Sequence, residues 1–564
     1  MSLAPYTRGM LLLTLALVLL QTPPAPAPNS AAPAIPSAQE PQKPPVTRIE
    51  DIQALGRVLG IEFSESELKL MPRTLDDQRE GYAAVRGVPL ANGDALAFAF
   101  DPLLPGMHVR ECKITPLVRP VPKAERPPKL EDLAYADIPT LAALIRTQQV
   151  SCAELTEMSL ARLQRLDPKL HCVITLCAER ARAQAQQLDL ELKQGKYRGP
   201  LHGIPWGAKD LIETKGIRTT YGAKPYENQV FDADAAVVEK LDAAGAVLVA
   251  KLSLGELAMD DEWFGGLTRN PWKLEQGSSG SSAGPAAAVA SGCVAFAIGS
   301  ETCGSILSPS SRCGCSSLRP TFGRVSRRGA MALSWTMDKL GPMARRASDA
   351  ALVFQAIQGF DAQDESTTKI PFTDLGPVDV KGWKVGWLAD GWQNAKDRDA
   401  FLAELRALGV ELVPLELPKL PIDSLMTILM AEAATAFDEL TRTNQDDLLA
   451  RQREDSWPNA FRTAQTIPAV EYLRASRVRR KAMLAFDAEL QKVDVLVHPP
   501  GDGRLLVLCN LTGQPAVCVP RGWNTDGTPR SVAFTANLYD DARALALAEA
   551  WQRSTHDHEK HPQF

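Results

Sequence analysis

The least ordinary stretch of this 564-residue chain runs over positions 277–314. It reads Gly-Ser-Ser-Gly-Ser-Ser-Ala-Gly-Pro, then a run of small residues, an apolar strand-like segment, and Gly-Ser-Glu-Thr-Cys-Gly-Ser-Ile. Two Ser/Gly-rich turns therefore flank a buried helix and strand, and glycine there lets backbone approach a ligand closely. Three chemistries use turns of this kind. A phosphate loop needs Gly-Lys-Ser/Thr at the helix entry, and no Lys follows these glycines. A nucleophile elbow is formally satisfied by Gly280, Ser282 and Gly284, but it requires a strand immediately before it and an Asp/Glu and a His later in the chain. Residues 270–276 do not read as a strand, and the downstream histidines are His498 and a polar tail with His556, His558 and His561. The third chemistry is a serine nucleophile served by a lysine base.

For that third case the chain resembles the amidase signature family. The two serine motifs are Gly280-Ser281-Ser282-Ala283-Gly284 and Gly299-Ser300-Glu301-Thr302-Cys303-Gly304-Ser305-Ile306-Leu307-Ser308-Pro309. The lysine motif is Leu201-His202-Gly203-Ile204-Pro205-Trp206-Gly207-Ala208-Lys209-Asp210. Asn270-Pro271-Trp272, Leu318-Arg319-Pro320-Thr321-Phe322-Gly323-Arg324-Val325-Ser326 and Asn510-Leu511-Thr512-Gly513-Gln514-Pro515-Ala516 extend the likeness over about 133–561, in family order. The resemblance implies that Ser305 attacks the substrate carbonyl, that Ser281 relays its proton, and that Lys209 is the base. It also implies a cis peptide bond before Ser281 and an oxyanion hole built from the N–H groups of Thr302, Cys303, Gly304 and Ser305. Such a scheme needs a neutral Lys209, which burial among Ile204, Pro205, Trp206 and Leu211 would favour. The neighbouring Asp210 would oppose it, so its carboxylate is expected to point elsewhere or to bind backbone. Cys303 stands where many relatives have Gly and would be strained if that position needs positive φ. Cys303 as nucleophile is a rival reading, with no adjacent His or cationic group evident to ionise it.

Family members that bind acidic substrates carry Arg two residues after the nucleophile, and here that residue is Leu307. The resemblance therefore implies a neutral amide with an apolar or aromatic acyl group, with ester or carbamate cleavage as a side activity. Trp206, Trp263, Ser282, Leu307, Trp335 and Met337 are candidates for the pocket wall. The family also contains the glutamine-hydrolysing component of the tRNA amidotransferase, and the segment near 48–105 bears a faint similarity to that enzyme's small helical component. The alternative to a stand-alone hydrolase is thus a partner-dependent subunit, or a binding module on the same fold. With 62 basic against 67 acidic residues, a net charge of −5 and no Lys/Arg block, nucleic acid is not an expected partner. A small amide is the expected ligand, with the protein a monomer or homodimer. Neither cofactor nor metal is expected: Cys313 and Cys315, with Cys303 nearby, lack a recognisable second ligand pair.

The elements that must hold these residues read as α/β, a central sheet with helices on both faces, and the family resemblance implies that the sheet is mixed. Hydrophobic residues at 45% and charged residues at 23% are those of an ordinary globular protein. Strand candidates are 247–250, 294–298, 384–388 and 493–497; a helix should end at Gly245, and Ser151 with Glu154 should cap another. Ahead of them, Ile52, Leu55 and Leu59 share one helical face. Ser64 and Glu67 form a capping-box pattern before an apolar stripe of Leu68, Leu75 and Tyr82, which Pro72 interrupts. Arg8 and the apolar run 10–20 read as a secretory signal, too short to span a bilayer. The domain reading is a signal peptide over 1–21, a Pro/Ala-rich linker over 22–47, a small helical region and Pro-rich connection over 48–128, and a catalytic domain over 129–564. The place of action is then the periplasm or the exterior, with no stable membrane insertion after cleavage. Most of the ten cysteines should be buried thiols.

Overall fold

Short apolar runs bounded by Gly and Pro become strands, and small-residue or amphipathic runs between them become helices. In the computed structural model, residues 46–94, 96–392, 394–501 and 503–564 are described. The expected signal sequence, and all but the last two residues of the expected linker, lie outside them. The chain divides into two compact units, one ending at Leu90 and the other running Ala91–Phe564.

In the first unit, helices Ile49–Leu59 and Glu65–Arg86 form a pair, and Ser64 and Glu67 make the anticipated capping box. The inward face of the shorter helix is Ile52 and Gly56, while Leu55 is exposed; Tyr82 is exposed too, so the stripe stops before it. Pro72 is accommodated inside a continuous helix.

The second unit is built on fifteen strands among the described residues. They are Val173–Leu176 (β1), Pro205–Lys209 (β2), Val247–Leu252 (β3), Glu262–Trp263 (β4), Gly266–Leu267 (β5), Arg269–Asn270 (β6), Lys273–Gly277 (β7), Phe296–Glu301 (β8), Ser316–Arg319 (β9), Lys339–Ala344 (β10), Lys384–Trp387 (β11), Glu411–Pro414 (β12), Val495–His498 (β13), Ala516–Trp523 (β14) and Pro529–Ala536 (β15). Eleven of them form one sheet in the order β1-β3-β2-β8-β10-β9-β14-β15-β13-β11-β12. The sheet is mixed: β2 runs parallel to β3 and β8, β11 parallel to β12 and β13, and the remaining pairs are antiparallel. Strands flanked on both sides and covered on both faces are mostly apolar, and β2, β3 and β8 are buried at every position, so the Lys209, Lys251, Ser300 and Glu301 they carry need polar partners.

The four strand candidates all form strands, and helix Ala236–Ala244 ends on Gly245 in the left-handed conformation. Ser151 and Glu154 cap the helix Cys152–Leu170. One reading is corrected: within 270–276, residues 273–276 belong to β7, paired with β6 in a two-stranded ribbon. Its burial alternates weakly, so no clear period marked it.

Candidate active site

Lys209 is the last residue of β2, and its parallel neighbour β8 ends at Glu301, so both carboxyl ends reach the same side of the sheet. Open α/β sheets place ligands there. The Lys209 side chain is completely buried. Its Nζ lies 2.7 Å from Ser281 Oγ, 3.1 Å from Ser282 Oγ, 2.9 Å from Ser300 Oγ and 3.3 Å from the Ser300 carbonyl oxygen. Burial pushes its pKa well below that of an ordinary lysine, against the opposing fields of Asp338 and Glu301. Asp210 turns away, as expected: its carboxylate accepts from Thr220 N at 2.7 Å and Thr220 Oγ1 at 2.6 Å, and pairs with Lys251 Nζ at 2.9 Å.

Ser281 sits at the entry of helix Ala283–Ala290, behind a cis Gly280–Ser281 peptide bond. A Cβ on Gly280 would fall 1.6 Å from the Asp260 carbonyl oxygen, so only glycine fits. Ser282 joins the two serine turns: its N–H donates to the Ser305 carbonyl at 3.0 Å. Its hydroxyl donates to the Ser300 carbonyl at 3.1 Å and accepts from Ser300 N at 3.2 Å.

The second turn, 302–305, is held by Glu301. That carboxylate accepts from the N–H groups of Ile306 at 2.8 Å and Leu307 at 3.0 Å, from Arg319 Nη1 at 2.9 Å and from Asn510 Nδ2 at 2.9 Å. Burial alone would raise its pKa, but Arg319 and the Leu307 N–H prevail and hold it at about 2. Asp338 steadies the same turn by accepting from Thr302 Oγ1 at 2.5 Å and from the N–H groups of Leu333 and Ser334. The left-handed residue of the turn is Gly304, with φ +95°, so Cys303 is spared that conformation. Burial first, and then the Glu301 carboxylate, pushes the Cys303 thiol up to about 12, which leaves it protonated at neutral pH. Ser305 is half-buried at the start of helix Leu307–Cys313.

A cavity of about 460 Å³ abuts Ser300 and Thr302. Of the sequence-nominated wall residues, Trp335 lines it, beside Met331, Leu333 and Leu340. Trp206 instead stacks on Phe296 in the core with ring centroids 5.9 Å apart, because β2 is covered on both faces. Leu307 is completely buried against Ala516 and Cys518, Met337 is completely buried, and Trp263 packs edge-on against Phe264. None of these four lines the cavity, and Ser282 serves Lys209 and the Ser300 backbone instead. The elbow reading fails for lack of partners rather than of a strand, since among the described residues Ser282 Oγ bonds only Lys209 and Ser300.

Ser300, Glu301 and Asp338 were missed as site residues. A hydroxyl and a carboxylate closing the apolar run 294–298 were a usable signal for the first two; Asp338 lies 33 residues beyond Ser305 and carried none. Among the described residues no disulfide joins any of the ten cysteines, eight of which are buried.

The family described as Amidase matches residues 154–502. The chain is 32% identical over 481 residues to the A-type component of the glutamyl-tRNA(Gln) amidotransferase from Cyanothece sp., covering 76% of this chain and 100% of that protein. It is 33% identical over 476 residues to the corresponding protein from Anaeromyxobacter dehalogenans, covering 75% and 97%. Among solved structures, the native peptide amidase from Stenotrophomonas maltophilia is similar with a TM-score of 0.70 at 28% identity, covering 77% of this chain and 99% of that one.

Proposed function

The chain belongs to the amidase family and is an amide-hydrolysing enzyme, and we propose that it is an exported hydrolase of neutral amides that works through an acyl-enzyme on Ser305. The observation that carries the mechanism is the set of partners around Lys209 Nζ: hydroxyls and one carbonyl, with no carboxylate in contact among the described residues. Burial favours the neutral form of such an amine, which has two N–H donors and one lone pair. The Ser282 hydroxyl spends its hydrogen on the Ser300 carbonyl, so toward Lys209 it only accepts. Ser282 and Ser300 take the two N–H groups, and the lone pair is left to receive the hydroxyl hydrogen of Ser281.

Ser281 in turn takes the proton of Ser305 as that oxygen attacks the carbonyl. The N–H groups of 302–305 receive the developing oxyanion, a contribution whose loss typically costs about 2.7–4 kcal/mol per donor. Collapse expels the amine, protonated from Lys209 through Ser281; water then attacks the acyl-enzyme, its proton passing through Ser281 to Lys209, and that proton returns to Ser305 Oγ as the acid leaves. The cavity beside Ser300 and Thr302 carries Trp335, Met331, Leu333 and Leu340 along with charged residues such as Arg327, Arg328 and Lys339, and its apolar part suits an apolar or aromatic acyl group. The apolar run 10–20 supports export.

Incubation with a fluorophosphonate probe and a panel of neutral amides and esters tests this reading. Wild type should be labelled and turn over; Ser305→Ala should lose both, and Lys209→Ala should lose turnover. Labelling that survives Ser305→Ala would place the nucleophile elsewhere. Cell fractionation should find the protein outside the cytoplasm. The similarity to the amidotransferase components supports a second reading, in which the same site serves a partner; turnover that appears only with copurifying proteins would favour it.

A further inference from the structure

The cavity beside Ser300 and Thr302 has a wall that comes from outside the matched family region. Residues 91–94 and 96–100 precede position 154, where the family match begins, yet Gly93, Leu96, Phe98 and Phe100 line the cavity along with Trp335. This strap is pinned at both ends. Asn92 donates from Nδ2 to the Ala332 carbonyl at 3.0 Å and accepts at Oδ1 from the Ala332 N–H at 2.6 Å, so one side chain satisfies both backbone groups of one residue. At the other end the Arg479 guanidinium carbon lies 3.6 Å from the Phe100 ring centroid, and Phe322 meets the same ring edge-on at 5.1 Å.

Between the anchors, Phe98 is 61% exposed at the rim of the cavity. An aromatic ring held there by a pinned backbone gains by being covered. The cavity also carries charged side chains, among them Arg327, Arg328, Asp338 and Lys339, so the rings of the strap contribute to its apolar side.

We propose that this strap completes the acyl pocket and makes the enzyme selective for amides with an aromatic or extended apolar acyl group, with Phe98 the specificity-determining residue. The proposal rests on the site reading above. It is tested with the full chain on a matched pair, acetamide and 4-phenylbutanamide, by the ratio of their kcat/KM values. Phe98→Ala should lower the ratio of the aryl to the small amide about tenfold, through KM, and Phe98→Tyr should restore most of it. Asn92→Ala, which frees the strap, should move the ratio the same way by roughly threefold. An unchanged thermal midpoint in Phe98→Ala would exclude a general loss of structure. A ratio within about twofold of wild type in both variants overturns the proposal. Ser305→Ala separates the two readings: if it still turns over either amide, the site reading falls; if it is dead while the ratio is insensitive to Phe98, only the strap inference falls. Absence of wild-type turnover and labelling defeats both.

Discussion

Lys209 and Lys251 are two completely buried lysines on adjacent parallel strands, with Ala208 opposite Lys251 and Lys209 opposite Leu252. Their depth is the same and their company is not. Lys251 Nζ has the Asp210 carboxylate at 2.9 Å and Thr219 Oγ1 at 2.5 Å, whereas among the described residues Lys209 Nζ has only hydroxyls and a carbonyl within hydrogen-bond reach. A buried ammonium needs a counter-charge, and without one the group gives up its proton. Asp210 lies next to Lys209 in sequence and could have served it; instead it pairs with Lys251 and leaves Lys209 without a carboxylate in hydrogen-bond reach among the described residues.

Changes that break this contrast should separate chemistry from stability. The largest effect is expected from Lys209→Met, which should lower kcat/KM by roughly 10²–10⁴-fold, measured on an amide that wild type hydrolyses, while the denaturation midpoint moves little. Asp210→Asn should do the converse. It strands the Lys251 charge and should cost about 3–5 kcal/mol of stability by chemical denaturation. A midpoint equal to wild type would show that the pair is not what holds this corner.

The pH profile sharpens the comparison further. Because the Lys209 pKa is depressed, the neutral base is present above that pKa and is lost as pH falls through it, so kcat/KM should show an acid limb well below the 10.5 of a free lysine. Ser300→Asp would give Lys209 the kind of partner Lys251 already has, and should move that limb about 1–3 units toward higher pH. A limb that stays in place would mean that another group titrates. The smallest change expected is from Ser282→Ala, which removes one acceptor from Lys209 Nζ and should lower kcat/KM roughly fivefold.

Much of the site was legible in the chain. Gly280 had to be glycine because the Asp260 carbonyl passes within 1.6 Å of where a Cβ would stand, and Gly304 because its φ is +95°. Such requirements are backbone constraints and leave a mark in composition. The direction of a side chain leaves none. Leu307 and Met337 fitted an apolar pocket by type, and both are core residues. Trp335 fitted equally well and lines the cavity. The strand over Lys273–Gly277 was missed because a two-stranded ribbon with little burial lacks a strict alternation of apolar and polar residues.

Sequence by itself determined an α/β core and, through the resemblance to the amidase signature family, singled out Lys209 at the end of an apolar run and Ser281 and Ser305 in glycine-rich turns on either side of a helix and strand. The apolar runs and the glycine-rich turns are local, and hydrophobic period and local sterics encode them. Only the tertiary structure decided which buried lysine has a carboxylate, that Glu301 and Asp338 brace the turn 302–305, and that the strap carrying Phe98 closes one side of the cavity. Each of those depends on the pairing of groups far apart in the chain, and the charge state of a buried amine depends on such neighbours rather than on its own place in the sequence.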